Sequence, residues 1–241
     1  MKKVLWSIVL VVITSNVFAQ VNKAAAYPLV THTPYFSIWS FSDTLNATNT
    51  VHWTGKSQSI IGVIKVDGND FLFLGNDPAL TGKVNKAVQT QLDITATSTK
   101  YRFTCNKVSL HLSFTSPLLI NHIDIMAKPI TYIQYSVASL DNKKHDIQVY
   151  LGVSSNLAVN TPNQEVTANQ STHNNLSILK VGSTEQQVLG KKGDDVRIDW
   201  GYGYVATDRN TSSQFLSNSL NSTNLFDVYF ETEKTGNQIW L

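Results

Sequence analysis

Beyond residue 20, no long stretch of this 241-residue chain repeats apolar residues at helical spacing. Instead, short runs rich in Val, Ile, Thr, Tyr and Phe alternate with a period of two, which puts successive side chains on opposite faces of a strand. The expected fold class is therefore all-β. Ile60–Val66 and Asp70–Leu74 flank Asp67-Gly68-Asn69, a tight turn of the kind that closes a hairpin. Further strands are predicted at Gln91 to Thr97, Tyr101 to Cys105 and Val108 to Phe114. In the last of these, Val108, Leu110, Leu112 and Phe114 share one face opposite Ser109, His111 and Ser113. Ile120 to Met126, Thr131 to Ser139 and Asp146 to Ser154 read as a three-stranded meander joined by Lys128-Pro129 and by the polar stretch Leu140 to His145. Residues from Asn160 to His173 are rich in Asn, Gln and Thr and interrupt the pattern, which returns at Leu176 to Val181, Val196 to Ala206 and Leu225 to Phe230. No repeat of fixed period is present, which disfavours propellers and β-helices. The predicted architecture is a large antiparallel β-sandwich of two sheets over residues 59–241. It is preceded at residues 20–58 by an extended, aromatic-rich segment carrying Pro28, Pro34, aromatics around Ile38, and His52-Trp53.

The amino terminus bears on compartment. Lys2-Lys3 is followed by the apolar run Val4 to Ile13, then by Thr14-Ser15-Asn16 and the small-residue site Val17-Phe18-Ala19. That order is a secretory signal peptide over residues 1–19 with cleavage after Ala19. A membrane anchor is the alternative, but a span needs about 20 apolar residues and this core is half that length. The expected product is exported, periplasmic or secreted, with no membrane association after cleavage. Loss of Lys2 and Lys3 leaves 17 basic residues against 17 acidic, so no electrostatic drive toward nucleic acid or anionic lipid is expected.

Compact catalytic signatures are missing: there is no Gly-x-Ser-x-Gly elbow, P-loop, dinucleotide fingerprint or His-Glu-x-x-His run. No pair of carboxylates stands out for glycosidase chemistry. Asp194-Asp195 reads as a solvated turn, and Asp227 with Glu231 as an exposed strand face. Of the six histidines, His32 and His52 sit in suggestive surroundings, Thr31-His32-Thr33-Pro34-Tyr35 and His52-Trp53-Thr54-Gly55. No carboxylate lies at ligand spacing from them, so neither metal nor cofactor is expected, and backbone hydrogen bonding would account for both rings. Trp39, Trp53 and Trp200 could stack on a sugar, although large aromatics first serve as core. Cys105, the single cysteine, has no intrachain disulfide partner and no neighbouring His or Asp to activate it. The candidate binding residues are thus His32, Trp39, His52 and Trp53.

Three ordered blocks, Tyr27 to Ser40, His52-Trp53-Thr54-Gly55 and Gly62 to Gly68, resemble the amino-terminal region of secreted glutaminase A-like proteins. Phe114 to Leu119, Lys128-Pro129-Ile130-Thr131-Tyr132, His145 to Tyr150 and Trp200-Gly201-Tyr202-Gly203-Tyr204 also look like that family. One departure is Thr33, where an Asp between His and Pro would be expected. The resemblance implies hydrolysis of the glutamine side-chain amide to glutamate and ammonia. It also implies a C-terminal helical toroid, of the six-hairpin glycosidase type, that is missing from this chain as a partner domain. The apolar end Gln238-Ile239-Trp240-Leu241 suits an interrupted sandwich, and no catalytic residue is assigned. Alternatives are the corresponding part of a six-hairpin-type glycoside hydrolase, or a stand-alone sandwich that binds a glycan or a protein; the expected substrate is a small molecule or a glycan.

Overall fold

The computed structural model describes residues 23–220, 225, 233–236 and 239–241. The segment 1–19 expected to be a signal peptide, the carboxylates Asp227 and Glu231, and all but Leu225 of the strand expected at Leu225 to Phe230 lie outside the described residues. Within them the chain is mostly β-strand, as its alternation requires, with one short helix. Its strands divide among four sheets.

The amino-terminal segment forms a sheet of its own: β1 (Tyr27–Thr33), β2 (Phe36–Ser40) and β3 (Val51–His52), in antiparallel order. A second sheet runs in the order β11-β4-β5-β6, from β4 (Ile60–Val66), β5 (Asn69–Leu74), β6 (Asn85–Lys86) and β11 (Ile147–Val153). Asp67 and Gly68 close the β4–β5 hairpin with φ of +49° and +81°. Two consecutive positive φ values define the turn whose twist matches that of the flanking strands, and Gly adopts one of them without steric cost. This sheet is buried on both faces. Ile64, Val66 and Phe73 enter the main core, whereas Ile61, Val63 and Leu72 pack with Leu80 and Trp240 on the other side. Burial on two faces is why β4 reads as a nearly continuous apolar run.

The third sheet has the order β10-β9-β8-β7, from β7 (Val88–Ile94), β8 (Ser98–Cys105), β9 (Val108–Thr115) and β10 (Tyr132–Ser139). Here only one face is covered. Val108, Leu110, Leu112 and Phe114 are buried as their alternation predicts, and His111 is exposed. Phe103 meets Phe73 of the second sheet with ring centroids 6.0 Å apart, so the two sheets share a core. Burying one such side chain is worth about 1.5–3 kcal/mol. The fourth sheet has the order β14-β13-β12-β15, from β12 (Val166–His173), β13 (Leu176–Ser183), β14 (Gly203–Asp208) and β15 (Glu233–Gly236). It adds Val166, Ala168, Leu179 and Val181 to the same core.

The described residues form four sheets where two were expected, and further expectations change. Ile120 to Met126 is not a strand: Ile123–Met126 is a single helical turn, α1, with no buried residue. Ile120, Ile123 and Met126 recur at a spacing of three, which such a short run cannot separate from strand alternation. The meander therefore fails. β10 pairs with β9, and β11 crosses to pair with β4 in another sheet. Conversely, the polar stretch before His173 contains β12, a central strand held between β13 and β15. Its Val166 and Ala168 supply the core face while Thr and Asn occupy the other.

The crossing from β10 to β11 is pinned. The His145 ring meets Asp67 of the β4–β5 turn at 2.7 Å through Nδ1 and Asp141 at 2.9 Å through Nε2. From this end β10 and β11 run back about 20 Å to the opposite end of their sheets, at roughly 3.3 Å per residue. There Val153 exchanges backbone hydrogen bonds of 2.9 Å with Leu241.

Candidate functional site

The β1–β2 hairpin tip, Pro34-Tyr35, is held from two sides. Its turn is organised by Thr33, whose Oγ1 accepts the backbone N–H groups of Tyr35 (3.2 Å) and Phe36 (3.1 Å). An Asp carboxylate could accept the same two donors, so the departure at Thr33 preserves the turn while removing a charge.

On one side stands the loop after β3. His52 is fully buried, and its Nε2 lies 3.0 Å from the Pro34 carbonyl oxygen. Because a carbonyl only accepts, Nε2 carries the proton and donates. Nδ1 faces Thr54, accepting its backbone N–H at 3.3 Å beside a 2.9 Å contact with Oγ1. The Trp53 indole donates to the same Pro34 carbonyl at 2.7 Å, and the two rings lie 5.6 Å apart. Burial pushes the His52 pKa below the usual imidazole value, with Arg197 acting in the same direction and the Pro34 contact and Asp195 opposing it. A neutral ring with both nitrogens engaged anchors the tip and offers no lone pair to a substrate. Trp53 differs, because half of its surface is open to solvent.

On the other side lies the stretch 195–200, which forms no strand although alternation extends to Val196; β14 begins only at Gly203. Ile198 N–H donates to the Tyr35 carbonyl at 2.9 Å, and Trp200 meets the Tyr35 ring edge-on at 5.3 Å. Arg197 is buried, donating to the Asn160 carbonyl and, at 2.6 Å, to Asp195. Thr54 hydrogen-bonds the Asp195 carboxylate and, with Arg197, holds its pKa below the usual range. Asp195 is thus the link between the two sides, an ion-paired group where the sequence suggested only a solvated turn. Asp199, nearly buried, accepts from Gln164 (2.9 Å) and Lys191 (2.5 Å), fixing the far end of the stretch.

Of the four sequence-derived candidates, the fold brings together His52 and Trp53. Trp39 lies on the opposite face of β2 from Ile38, the residue that pairs with His52, and its indole donates to Ser37 at 2.5 Å. His32 sits at the β1 register shift and stacks on Phe36 at 5.6 Å; burial lowers its pKa. Tyr35, Thr54, Asp195, Arg197 and Trp200 complete the cluster and were not among the candidates. Arg197 carries no local motif, and only its distance in sequence from the hairpin hid it. Among the described residues, no group of three or more His, Cys, Asp or Glu is placed to hold a metal ion. Cys105 is buried, its thiol pushed up to about 12 by desolvation, which removes it from nucleophilic chemistry. A shallow concavity of about 440 Å³ lies on the solvent face of the third sheet, where Gln91, Lys100, Arg102, His111, Gln134 and Ser136 converge. No described helix is long and apolar enough to cross a membrane.

The chain is similar to Glutaminase A of Aspergillus oryzae (strain ATCC 42149 / RIB 40), with 28% identity over 195 residues. The match takes in 77% of this chain and 27% of that protein, in its amino-terminal part. This chain thus spans about a quarter of the relative's length. Residues 11–83 match the model described as Domain of unknown function (DUF4964). Residues 97–237, more than half of the chain, match the model described as Domain of unknown function (DUF5127), and the chain belongs to that family.

Proposed function

We propose that this chain is the exported, non-catalytic amino-terminal part of a glutaminase A-like amidohydrolase that converts L-glutamine to L-glutamate and ammonia. The observation that carries the reading is the match to the amino-terminal quarter of Glutaminase A across three quarters of this chain. In this reading the signal peptide ends at Ala19 and export delivers the protein to the periplasm or medium. A helical toroid supplies the reacting groups, and the hairpin-tip cluster braces the side of the cleft. His52 is a positioning residue that fixes Pro34 and Trp53. Trp53, with Tyr35 and Trp200, presents the contact surface, and His32 and Trp39 stiffen the sheet behind it. The internal satisfaction of both His52 nitrogens supports a bracing role over a catalytic one.

The test is expression of the reading frame extended beyond Leu241. Ammonia release from glutamine by the extended product supports the reading. A frame that stops at Leu241, or an extended product that cleaves glycosides and leaves glutamine intact, contradicts it. A second reading, a glycan-binding sandwich, is favoured by the polar concavity on the third sheet, and glycan-array binding by the 241-residue chain would support it.

A further inference from the structure

Eight of the 19 large apolar or aromatic side chains exposed among the described residues fall between Leu118 and Tyr135. Leu118, Leu119, Ile120, Ile123, Met126 and Ile130 all face solvent in the connection from β9 to β10, with Ile120 at 82% and Ile123 at 71% exposure. Tyr132 and Tyr135 of β10, on opposite faces of that edge strand, are also more than half exposed. Scattered surface apolar residues need no explanation, but a contiguous run of this length marks an interaction surface. β10 adds a second observation. It is the edge of its sheet, eight residues long and in unbroken register with β9, and it carries neither proline nor charge. Solvent-exposed edges are normally blunted by Lys, Pro or bulges, because unpaired N–H and C=O groups template association. Between Ser116 and Ser139 the only charged residues are Asp124 and Lys128. The surface is built to be covered.

What covers it follows from the course of the chain. Tyr132 pairs with Thr115, and Val153 with Ile60, at the end of the strands away from the His145 pin. Leu241 is hydrogen-bonded to Val153 at that end of the second sheet. Polypeptide continuing from Leu241 would therefore start at the end of the second sheet away from the His145 pin, as the apolar connection borders that end of the third sheet, and nearly three quarters of Glutaminase A lies outside the matched region. We infer that segment 118–135 is the docking surface for the polypeptide that follows the β part in longer relatives, which meets it with an uncharged, apolar face. The inference rests on the proposed function for the existence of that polypeptide, and adds where it docks.

The test uses thiol labelling, for which the buried Cys105 is a silent background. Ile123→Cys and, as a control, Val188→Cys at an exposed site on another loop are each placed in the 241-residue chain and in the product extended beyond Leu241. Maleimide should label both thiols rapidly in the shorter chain. In the extended product, Ile123→Cys should react at least tenfold more slowly while Val188→Cys is unchanged. Equal labelling of Ile123→Cys in the two products overturns the inference, as does a frame that ends at Leu241. So does protection of Ile123→Cys in the shorter chain through a dimer that Ile120→Lys dissociates, which would assign the surface to a second copy. Glutamine turnover is read separately: turnover without protection leaves the proposed function standing and the docking surface wrong. Protection without turnover does the reverse.

Discussion

The indole nitrogen of Trp53 donates to the carbonyl oxygen of Pro34 across 2.7 Å, although Trp53 itself is half exposed. An exposed aromatic held this firmly is oriented by the protein before anything arrives. The same carbonyl takes the His52 proton, so one backbone oxygen fixes one buried and one open ring.

The two rings should respond differently to removal. His52→Ala empties a fully buried position, leaves Thr54 N–H without its acceptor and removes one of the two donors to the Pro34 carbonyl, and should lower stability by about 1–3 kcal/mol. Trp53→Ala should cost less than the roughly 3–5 kcal/mol typical of a core aromatic, since half of its surface stays in water. Urea denaturation of both variants checks the order, and a larger loss for Trp53→Ala would assign it to the core.

The His145 pin gives stability a pH signature. Its pKa is raised by hydrogen bonds to Asp67 and Asp141, while His145 lowers that of Asp67 and holds Asp141 down to about 2. The imidazolium contribution is fully present below the unfolded value of 6.5 and is lost as pH rises through the raised folded value. The carboxylate contribution is present above 3.8 and is lost as pH falls through the lowered folded values. Parent and His145→Gln melting temperatures should therefore differ most between pH 3.8 and 6.5 and converge outside that window. A difference that grows above pH 8 would contradict the assignment.

Gly62 admits no side chain. A Cβ there would lie 2.4 Å from the Phe73 ring and 2.9 Å from the Leu74 Cβ. Phe73 is buried between sheets and cannot swing away freely, so Gly62→Ala should cost about 1–3 kcal/mol in overpacking. Gly236, whose Cβ would meet nothing within 4 Å, provides the comparison. Equal melting temperatures for Gly62→Ala and Gly236→Ala would contradict this packing.

Cys105 should remain unmodified by maleimide in the native protein and react fully in denaturant without reductant. Its burial and raised pKa both suppress the thiolate. Rapid native labelling would mean that the core opens at the β8–β9 turn.

Local features of this fold were readable from sequence. The β4–β5 hairpin follows from Asp67-Gly68, and the buried face of β9 from strict alternation, because both depend on neighbours in the chain. β12 was hidden because its register is fixed by two flanking strands, whereas only Val166 and Ala168 among its residues are buried apolar. The jump of β11 to β4 pairs residues 81 to 93 apart in sequence, which local pattern does not encode. The site behaves likewise. His52 and Trp53 drew attention through composition, whereas Arg197 and Asp195 reach the hairpin tip only through tertiary packing.

The proposed function leaves the reacting groups outside this chain. Ammonia release from L-glutamine by the purified 241-residue chain tests it most directly, measured beside the product extended beyond Leu241. The account predicts no turnover above buffer for the chain alone and release by the extended product. Turnover by the chain alone that a substitution within it abolishes would place the reacting groups inside the β part and contradict the account.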